Sequence, residues 1–321
     1  MAGSVEGKFF MIVKKYKNEF KSEWDNFVEH SKMPMFMFKR NFMEYHSHKF
    51  VDFSLMFYDE KNKLIAILPA SISNNEVISH AGLTYGGFVT NESMKQHHMN
   101  DCFESLIDYL KQNGIKRLIY KTIPHEYHIV PAEEDLYPLW RFNARLCRRD
   151  VSSVINLKHP VKMLKSRCTQ SARAKREGFL IKETDDVVSF IDLVNSVLGY
   201  HHNTKAVHSA DELKLLKSYF PDNIKLWTAQ YEGKISACSL LFVYPNVVYT
   251  QYIAADETAR KLGGLDFLFT TLINHFASTK CFFDFGASTI GGGKVFLESL
   301  LFQKEGFGAR SVAHDTYELN L

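Results

Sequence analysis

The sequence lacks the long apolar segments that span membranes, and it has few cysteines. None of its apolar runs approaches the roughly 18 residues that a membrane helix requires. The first 20 residues place their lysines after a short apolar stretch, whereas a secretory signal peptide places its charges before one. The five cysteines are scattered and show no C-x-x-C spacing, which argues against a disulfide framework and a zinc site. These absences predict a soluble cytoplasmic protein with reduced thiols.

Net charge is also nearly absent. The 39 basic and 36 acidic residues leave +3 over 321 residues, which argues against a dedicated nucleic-acid binder. One segment departs from this average: residues 141–176 contain 11 basic residues and one acid, Asp150, so this basic segment carries +10 and the rest of the chain −7. Like charges at this density repel one another unless an anion neutralises them. The segment predicts binding of a phosphate-bearing small molecule, with RNA as the second choice and a solvated helix face as the plain alternative.

Two stretches of the chain share one order of elements, and 14% aromatic content supplies material for a core. Each stretch has two apolar strands joined by a tight turn, then a further strand, paired glycines, an amphipathic helix and a final strand. Either a duplicated unit or the hairpin–helix order common in α+β proteins explains the repeat. The strand pairs are predicted at 53–58 with 64–68 and at 226–231 with 235–242, and the helices at 99–112 and 265–276.

The repeat predicts an α+β protein of two domains, residues 8–145 and 146–321, with a final strand that can return to the first domain. Part of the basic segment, residues 162–176, is predicted to be helical because small and apolar residues recur at helical spacing before Gly178. A further helix is predicted to begin after His208, because Ser209 and Glu212 have the spacing of a capping box. His208 itself is a candidate for lining a cleft.

Two glycine-rich loops are candidate ligand sites. The first runs from Arg260 to Leu265 between a strand and a helix, where Gly263 and Gly264 leave backbone N–H groups at the positive end of the helix dipole. Such a loop suits a pyrophosphate, and a simple turn explains it equally well. The second loop follows the strand that ends near Asp284 and contains Ser288 and three glycines, before a helix predicted over 295–303.

Several motifs fail on inspection. Asp284-Phe285-Gly286 matches the metal motif of protein kinases, but the glycine-rich loop and catalytic loop that kinases require are absent. Gly291–Lys294 lacks the glycine and the hydroxyl residue that define a P-loop. The paired histidines, among them His201 and His202, do not have metal-ligand spacing, so no metal site is predicted.

A set of motifs resembles the Fem-type (FemAB/FemX-like) branch of the GNAT N-acyltransferase superfamily, over roughly residues 35–321. The match is most specific from Gln251 onward. Lys304 matches the family's lysine before the Gly306-Phe307 pair, whereas Leu265 departs from the GNAT loop pattern Q/R-x-x-G-x-G/A that Arg260 and Gly263 begin. The motifs that carry the resemblance are Ile123-Pro124 with Tyr127, Glu133–Tyr137, Arg148–Ser153, Gln251–Ala254, Asp284–Gly286 with Ser288-Thr289, and Gln303–Arg310.

The resemblance implies two GNAT-like lobes, each a mixed, mostly antiparallel sheet flanked by helices. It implies transfer of an acyl group from acyl-CoA, such as acetyl-CoA, to an amine without a metal. The acceptor would be an amino sugar or a cell-envelope precursor, either a small molecule or a lipid- or nucleotide-linked amine. Two alternatives stay open: an aminoacyl-tRNA-dependent peptidyltransferase, and a non-catalytic double-GNAT module that binds a nucleotide-linked ligand.

The expected chemistry is direct attack of a neutral amine on the donor carbonyl, since no G-x-S-x-G nucleophile elbow is present. Lys304 and the backbone N–H groups after Tyr252 are predicted to stabilise the oxyanion, and Asp284 or His208 to accept a proton. The predicted cofactor-binding residues are Arg260, Gly263, Gly264 and Gln251. The predicted substrate- or phosphate-binding residues are Arg149, Lys165, Arg167, Arg173, Ser288 and Arg310.

Overall fold

The computed structural model describes residues 11–202 and 204–321, without the side chains of His201 and His202, so this histidine pair lies outside the described side chains. The described residues form ten α-helices and seventeen strands. The helices are α1 Lys21–Glu29, α2 Arg40–Glu44, α3 Gln96–Gln112, α4 Leu136–Arg141, α5 Lys165–Arg176, α6 Val187–His202, α7 Ala210–Tyr219, α8 Glu257–Leu262, α9 Gly264–Phe276 and α10 Glu298–Gly306.

The strands are short in the first half of the chain and longer in the second. They are β1 Ile12–Lys15, β2 Val51–Asp52, β3 Leu55–Tyr58, β4 Leu64–Leu68, β5 Ser71–Ser73, β6 Glu76–Ile78, β7 Val89–Thr90, β8 Arg117–Lys121, β9 Arg145–Asn156, β10 Leu180–Thr184, β11 Ile224–Tyr231, β12 Lys234–Val243, β13 Val247–Ala255, β14 Phe282–Ala287, β15 Thr289–Ile290, β16 Val295–Phe296 and β17 Arg310–Asn320. Helix α5 lies where the basic segment predicts a helix.

The chain divides into two compact units, and the division falls inside β9. Of the described residues, unit 1 comprises those up to Arg149 together with His314–Leu321, and unit 2 comprises Asp150–Ala313. The C-terminal part of β17 thus belongs to unit 1. None of the helices among the described residues combines the length and the hydropathy that a membrane span requires.

Unit 1 contains two sets of paired strands around one apolar core. Strands β1, β3, β4 and β7 form an antiparallel sheet in that order. The second set runs β2, β5, β6, β8 and then the end of β17, and only β6 and β8 are parallel. Helix α3 buries Met99, Cys102, Phe103, Leu106 and Leu110 in the core, which is the face that its sequence periodicity predicts.

Unit 2 is built on strands in the order β10, β11, β12, β13, β14 and the second half of β9. The neighbours are antiparallel except β13 and β14, which are parallel because α8 and α9 form the crossover between them. Helix α9 covers this sheet with a predicted apolar face, of which Leu268, Phe269, Leu272, Ile273 and Phe276 are buried.

Both predicted strand pairs are confirmed as antiparallel hairpins, β3 with β4 and β11 with β12. The turn of the second contains Glu232 and Gly233, both with positive φ, as a two-residue hairpin turn requires. The capping box is confirmed as well: Ser209 Oγ accepts from the Glu212 N–H, and the Glu212 carboxylate accepts from the Ser209 N–H.

The predicted helix over 295–303 is wrong at its start. Val295 and Phe296 pair with Thr289 and Ile290 in a small hairpin, and α10 begins only at Glu298. The three glycines at 291–293 all have positive φ, so they turn the chain back on itself. The basic segment contains strand β9 and helix α5.

Two separate features require glycine at position 263: the backbone conformation and the close packing of a neighbouring helix. Its φ of +83° is left-handed, and a methyl group at its Cα would overlap the backbone carbonyl of Gln170 in α5. Gly178 also has a left-handed φ, of +94°, but a methyl group there meets nothing within 4 Å.

We therefore expect Gly178→Ala to lower the free energy of unfolding by about 1 kcal/mol, the backbone cost alone, and Gly263→Ala to lower it by about 3 kcal/mol. Urea denaturation of the two variants measures both values, and equal losses would contradict the packing of Gly263 against α5.

Candidate functional site

The parallel ladder between β13 and β14 ends early. It joins Val247–Tyr249 to Phe282–Asp284, although β13 continues to Ala255 and β14 to Ala287. From Thr250 onward, the edge of β13 that faces β14 therefore has no ladder partner in that strand. Backbone N–H and C=O groups on such an edge are free to bind an extended ligand.

A β-bulge lies on β13 at the point where the ladder ends. Leu240 of β12 pairs with Tyr252 and Leu241 pairs with Thr250, so Gln251 is an extra residue without an opposite partner. In a regular strand, neighbouring residues point to opposite faces. The bulge relaxes this alternation, and the side chain of Gln251 donates a hydrogen bond to the hydroxyl of Tyr252. The bulge thus brings together the side chains of Gln251 and Tyr252, two predicted site residues. The alternation of residues along a strand does not predict this contact.

The hydroxyl of Tyr252 is in direct contact with His208. The Tyr252 oxygen lies 2.7 Å from His208 Nδ1 and accepts the backbone N–H of the same residue at 3.2 Å. Burial raises the pKa of Tyr252, so the phenol is neutral at physiological pH. With Nδ1 protonated, His208 donates to the phenol oxygen and the phenol hydrogen is available to a ligand; with Nδ1 unprotonated, it accepts that hydrogen. The pair can move a proton in either direction.

Asp284, Ser288 and Lys304 are also brought together, at the end of β14. The buried Asp284 carboxylate accepts from Ser152 Oγ and from the Gly286 N–H, the latter at 2.7 Å. The ammonium of Lys304 donates to Gly286 O at 2.8 Å, Ala287 O at 3.1 Å and Ser288 Oγ at 3.0 Å. An ammonium has three N–H bonds, so Lys304 is fully used in holding this loop. Asp284 is likewise engaged by its own loop, so both groups position β14 in this arrangement.

Burial of Lys304 has a measurable electrostatic cost. Its side chain is almost inaccessible, and burial lowers its pKa from 10.5 to about 8, although the nearby Asp284 opposes this shift. The three oxygen acceptors compensate for the lost hydration. A buried lysine at this position therefore has a structural explanation that does not require a substrate.

Arg260 lines a pocket of about 540 Å³ at the end of β13. The pocket also contains Asp256 and Glu257, so its charged lining is acidic overall. Asp256 caps α8 through the Ala259 N–H, at 2.7 Å. This lining suits a cationic amine better than it suits a pyrophosphate.

The two glycines of the first loop have packing roles. Gly263 lies against Gln170, and a methyl group on Gly264 would come within 2.5 Å of the Phe179 ring. Their lack of a side chain is thus explained by the close contact of α8 and α9 with their neighbours. Their predicted role in binding a cofactor stays a prediction.

The basic segment is partly neutralised by acids distant in sequence. Arg149 forms two hydrogen bonds of 2.6 and 2.7 Å with Asp315, within unit 1. Arg167 donates to Asp266 at 2.9 Å and lies over the ring of Phe307, within unit 2. These ion pairs weigh against a phosphate-binding role for both arginines, because their charge is already balanced.

The remaining predicted anion ligands are dispersed. Arg173 donates to Lys261 O at 3.2 Å, near Glu177, and Arg310 donates to its neighbour Ala309 O at 2.6 Å. Lys165 is exposed and forms no ion pair with a described residue. The described contacts therefore assemble two clusters, around Tyr252 and around Lys304, and leave the predicted phosphate ligands apart.

Ser152 was not among the predicted site residues, although it holds Asp284. Its place in the sequence, in strand β9 seven residues after Arg145, gives no signal of that contact. The same holds for Asp315 and Asp266, whose arginine partners lie 166 and 99 residues away along the chain.

Comparison with known proteins agrees with this geometry. The family model described as an acetyltransferase (GNAT) domain matches residues 164–293. The crystal structure of FemX superposes with a TM-score of 0.68 at 8% identity, covering 97% of this chain and 98% of that one. L-PGS from Bacillus licheniformis gives a TM-score of 0.62 at 14% identity, covering 96% and 92%. No curated protein matches the sequence significantly.

A third solved structure is similar over nearly the same length. The C-terminal domain of a protein assigned as a lysylphosphatidylglycerol synthetase in Agrobacterium fabrum gives a TM-score of 0.61 at 14% identity and covers 94% of this chain and 92% of that one. At these identities the structural matches show the fold. The predicted α+β fold is confirmed, and the family model supports the predicted resemblance to GNAT acyltransferases over residues 164–293.

We expect Lys304→Met to lower the free energy of unfolding by about 2 kcal/mol at pH 7, because the variant leaves buried oxygen acceptors unpaired. The pKa of Lys304 is lower in the folded chain (about 8) than in the unfolded chain (10.5). Between these values the unfolded chain binds more protons, so this lysine stabilises the wild type increasingly as pH rises. Urea denaturation at pH 8 and pH 10 should show the gap between wild type and variant widening.

Lys175→Met is the matched control, because Lys175 is exposed on α5. It should change the free energy of unfolding by less than about 0.5 kcal/mol. A gap between wild type and Lys304→Met that stays constant from pH 8 to pH 10 would rule out the lowered pKa.

Proposed function

Residues 164–293 match the family model of an acetyltransferase (GNAT) domain and the chain as a whole has the fold of FemX, and from these observations we propose that the protein is an N-acyltransferase. The observation that carries the proposal is the early end of the β13–β14 ladder beside the Tyr252–His208 pair. An open strand edge supplies backbone donors for a carbonyl, and the pair supplies a proton route.

The proposed donor is an acyl-CoA thioester. Its acyl carbonyl would lie along the open edge of β13, where backbone N–H groups after Tyr252 would stabilise the oxyanion. Attack by a neutral amine forms the amide and releases a thiolate, and the phenol of Tyr252 would supply that thiolate with a proton. His208 would return a proton to the phenol from Nδ1, which lies 2.7 Å from the phenol oxygen. The same imidazole would take up, at Nε2, the proton that the amine loses as the amide forms, so the proton count balances.

The proposed acceptor is an amine, with an amino sugar or a cell-envelope precursor as the substrate class. The acidic lining beside Arg260 supports this, because Asp256 and Glu257 attract a cationic group to the end of β13. Lys304 and Asp284 are proposed to act as positioning residues that fix the loop at the end of β14. Their contacts with Ser288, Gly286 and Ser152 support this assignment.

A second candidate function is transfer from aminoacyl-tRNA. The packing of Gly263 and Gly264 against Gln170 and Phe179 favours it, because these glycines are then not needed for a pyrophosphate. Leu265 at the last position of the loop pattern points the same way. Both candidates use the same open strand edge and differ in the donor.

We expect Tyr252→Phe to lower kcat about 100-fold with little change in KM, because the variant keeps the ring and loses the proton donor. The measurement is release of free thiol from acetyl-CoA with a panel of amines, including glucosamine and lysine-containing peptides. Tyr219→Phe is the matched control, since Tyr219 is exposed on α7, and it should behave as wild type.

The assay also separates the donors. Transfer from charged tRNA without any transfer from acetyl-CoA would replace the first candidate by the second. Full activity of Tyr252→Phe with either donor would contradict the proposed proton route.

A further inference from the structure

Unit 2 exposes several large apolar side chains around helix α10. Single exposed apolar residues are normal, but a contiguous group marks an interaction surface. Phe302 of α10 is 64% exposed, and the hairpin before this helix exposes about half of each of three further side chains. The group, here named the α10 surface, comprises Val161, Leu164, Ile290, Val295, Phe296 and Phe302.

Backbone contacts bring several of these residues close to one another. Ile290 pairs directly with Val295 across the hairpin, and Phe296 continues into α10. Phe302 lies one helical turn before Gly306, on the same side of α10. Gly306 O accepts the N–H of Leu164 at 2.9 Å, so Leu164 is next to this side of the helix.

The neighbouring charges are basic. Lys162 and Lys165 flank Leu164, and Lys294 precedes Val295; all three are exposed, and none forms an ion pair with a described residue. Residues 151–176 contain no acid, and Glu298 is the one acidic residue between 290 and 302. Apolar side chains surrounded by unpaired lysines have the chemistry that binds an anionic lipid surface.

The turn of this hairpin is open to solvent. A methyl group placed on Gly292, at its tip, would meet nothing within 4 Å. The tip is therefore surrounded by open space, and Ile290 and Val295 lie immediately behind it. An exposed turn with apolar residues beside it can place those side chains below the headgroups of a bilayer.

We propose that the α10 surface binds the surface of a membrane that contains anionic phospholipids. Lys162, Lys165 and Lys294 would contact the lipid phosphates, and Phe302, Phe296 and Val295 would enter the interface. This inference is independent of the acyl donor and of the catalytic role of Tyr252. It concerns attachment to a membrane surface.

The test is co-sedimentation of the full chain with vesicles, without substrate. One vesicle set contains phosphatidylcholine alone and the other phosphatidylcholine and phosphatidylglycerol at 3:1. We expect binding to the second set to be at least tenfold stronger and to weaken with salt. Lys162→Ala with Lys294→Ala should reduce the affinity about 25-fold, which is about fivefold per lysine. Phe302→Ser should weaken binding to both sets.

Lys214→Ala with Leu215→Ser is the matched control, because both residues are exposed on α7 of the same unit. This variant should bind as wild type does. Absence of vesicle binding, or equal binding by the α10-surface variants, would overturn the proposal. So would binding of tRNA, or self-association at micromolar concentration, that is lost in the same variants while vesicles are not bound.

Discussion

The early end of the parallel ladder between β13 and β14 is the constraint on which the candidate site depends. A strand edge inside a sheet normally has all its N–H and C=O groups paired. Here the pairing between β13 and β14 stops at Tyr249 and Asp284, and past the bulge at Gln251 β13 stays paired with β12 but not with β14. The bulge sets Gln251 beside Tyr252, and both lie beyond the end of the ladder with β14. The proposed carbonyl site on β13 and the proposed proton donor Tyr252 thus both lie where the pairing of β13 becomes irregular.

The other side of this opening is held by buried charge. Lys304 and Asp284 are both buried at the end of β14, and isolated charges in such surroundings are costly. The structure compensates for this cost with hydrogen bonds to Gly286, Ala287, Ser288 and Ser152, so the loop is fixed in one conformation. A rigid loop on one side and an open strand on the other suit a reaction in which two bound substrates must be aligned.

Local sequence patterns predicted much of the fold. The periodicity of α3 and α9, the turn before Lys234 and the capping box at Ser209 are all decided by neighbours within a few residues. The hairpin at Thr289–Phe296 was missed, because its three glycines predict a loop and the apolar Val295 and Phe296 match the start of the helix that follows. Local patterns also do not predict the bulge at Gln251, because it depends on the register between β12 and β13.

Charge in the basic segment was also predicted only locally, without its long-range ion pairs. A count along the chain gives +10 for residues 141–176 and predicts an anion site. In the fold, Glu318, Asp315 and Asp266 pair with three of its arginines, and they come from distant parts of the sequence. What stays unpaired is concentrated on lysines such as Lys162 and Lys165 of unit 2. Local charge therefore located basic residues correctly, and only the tertiary pairing showed which of them are available.

Hydrogen exchange with and without acetyl-CoA tests the central claim most directly, because it reports on the backbone of β13 itself. The account predicts that acetyl-CoA slows amide exchange in Thr250–Ala255 and at the end of β14, and leaves β3 and β4 of unit 1 unchanged. Protection confined to unit 1, or no protection of Thr250–Ala255 by acetyl-CoA or by an aminoacyl-tRNA, would contradict it.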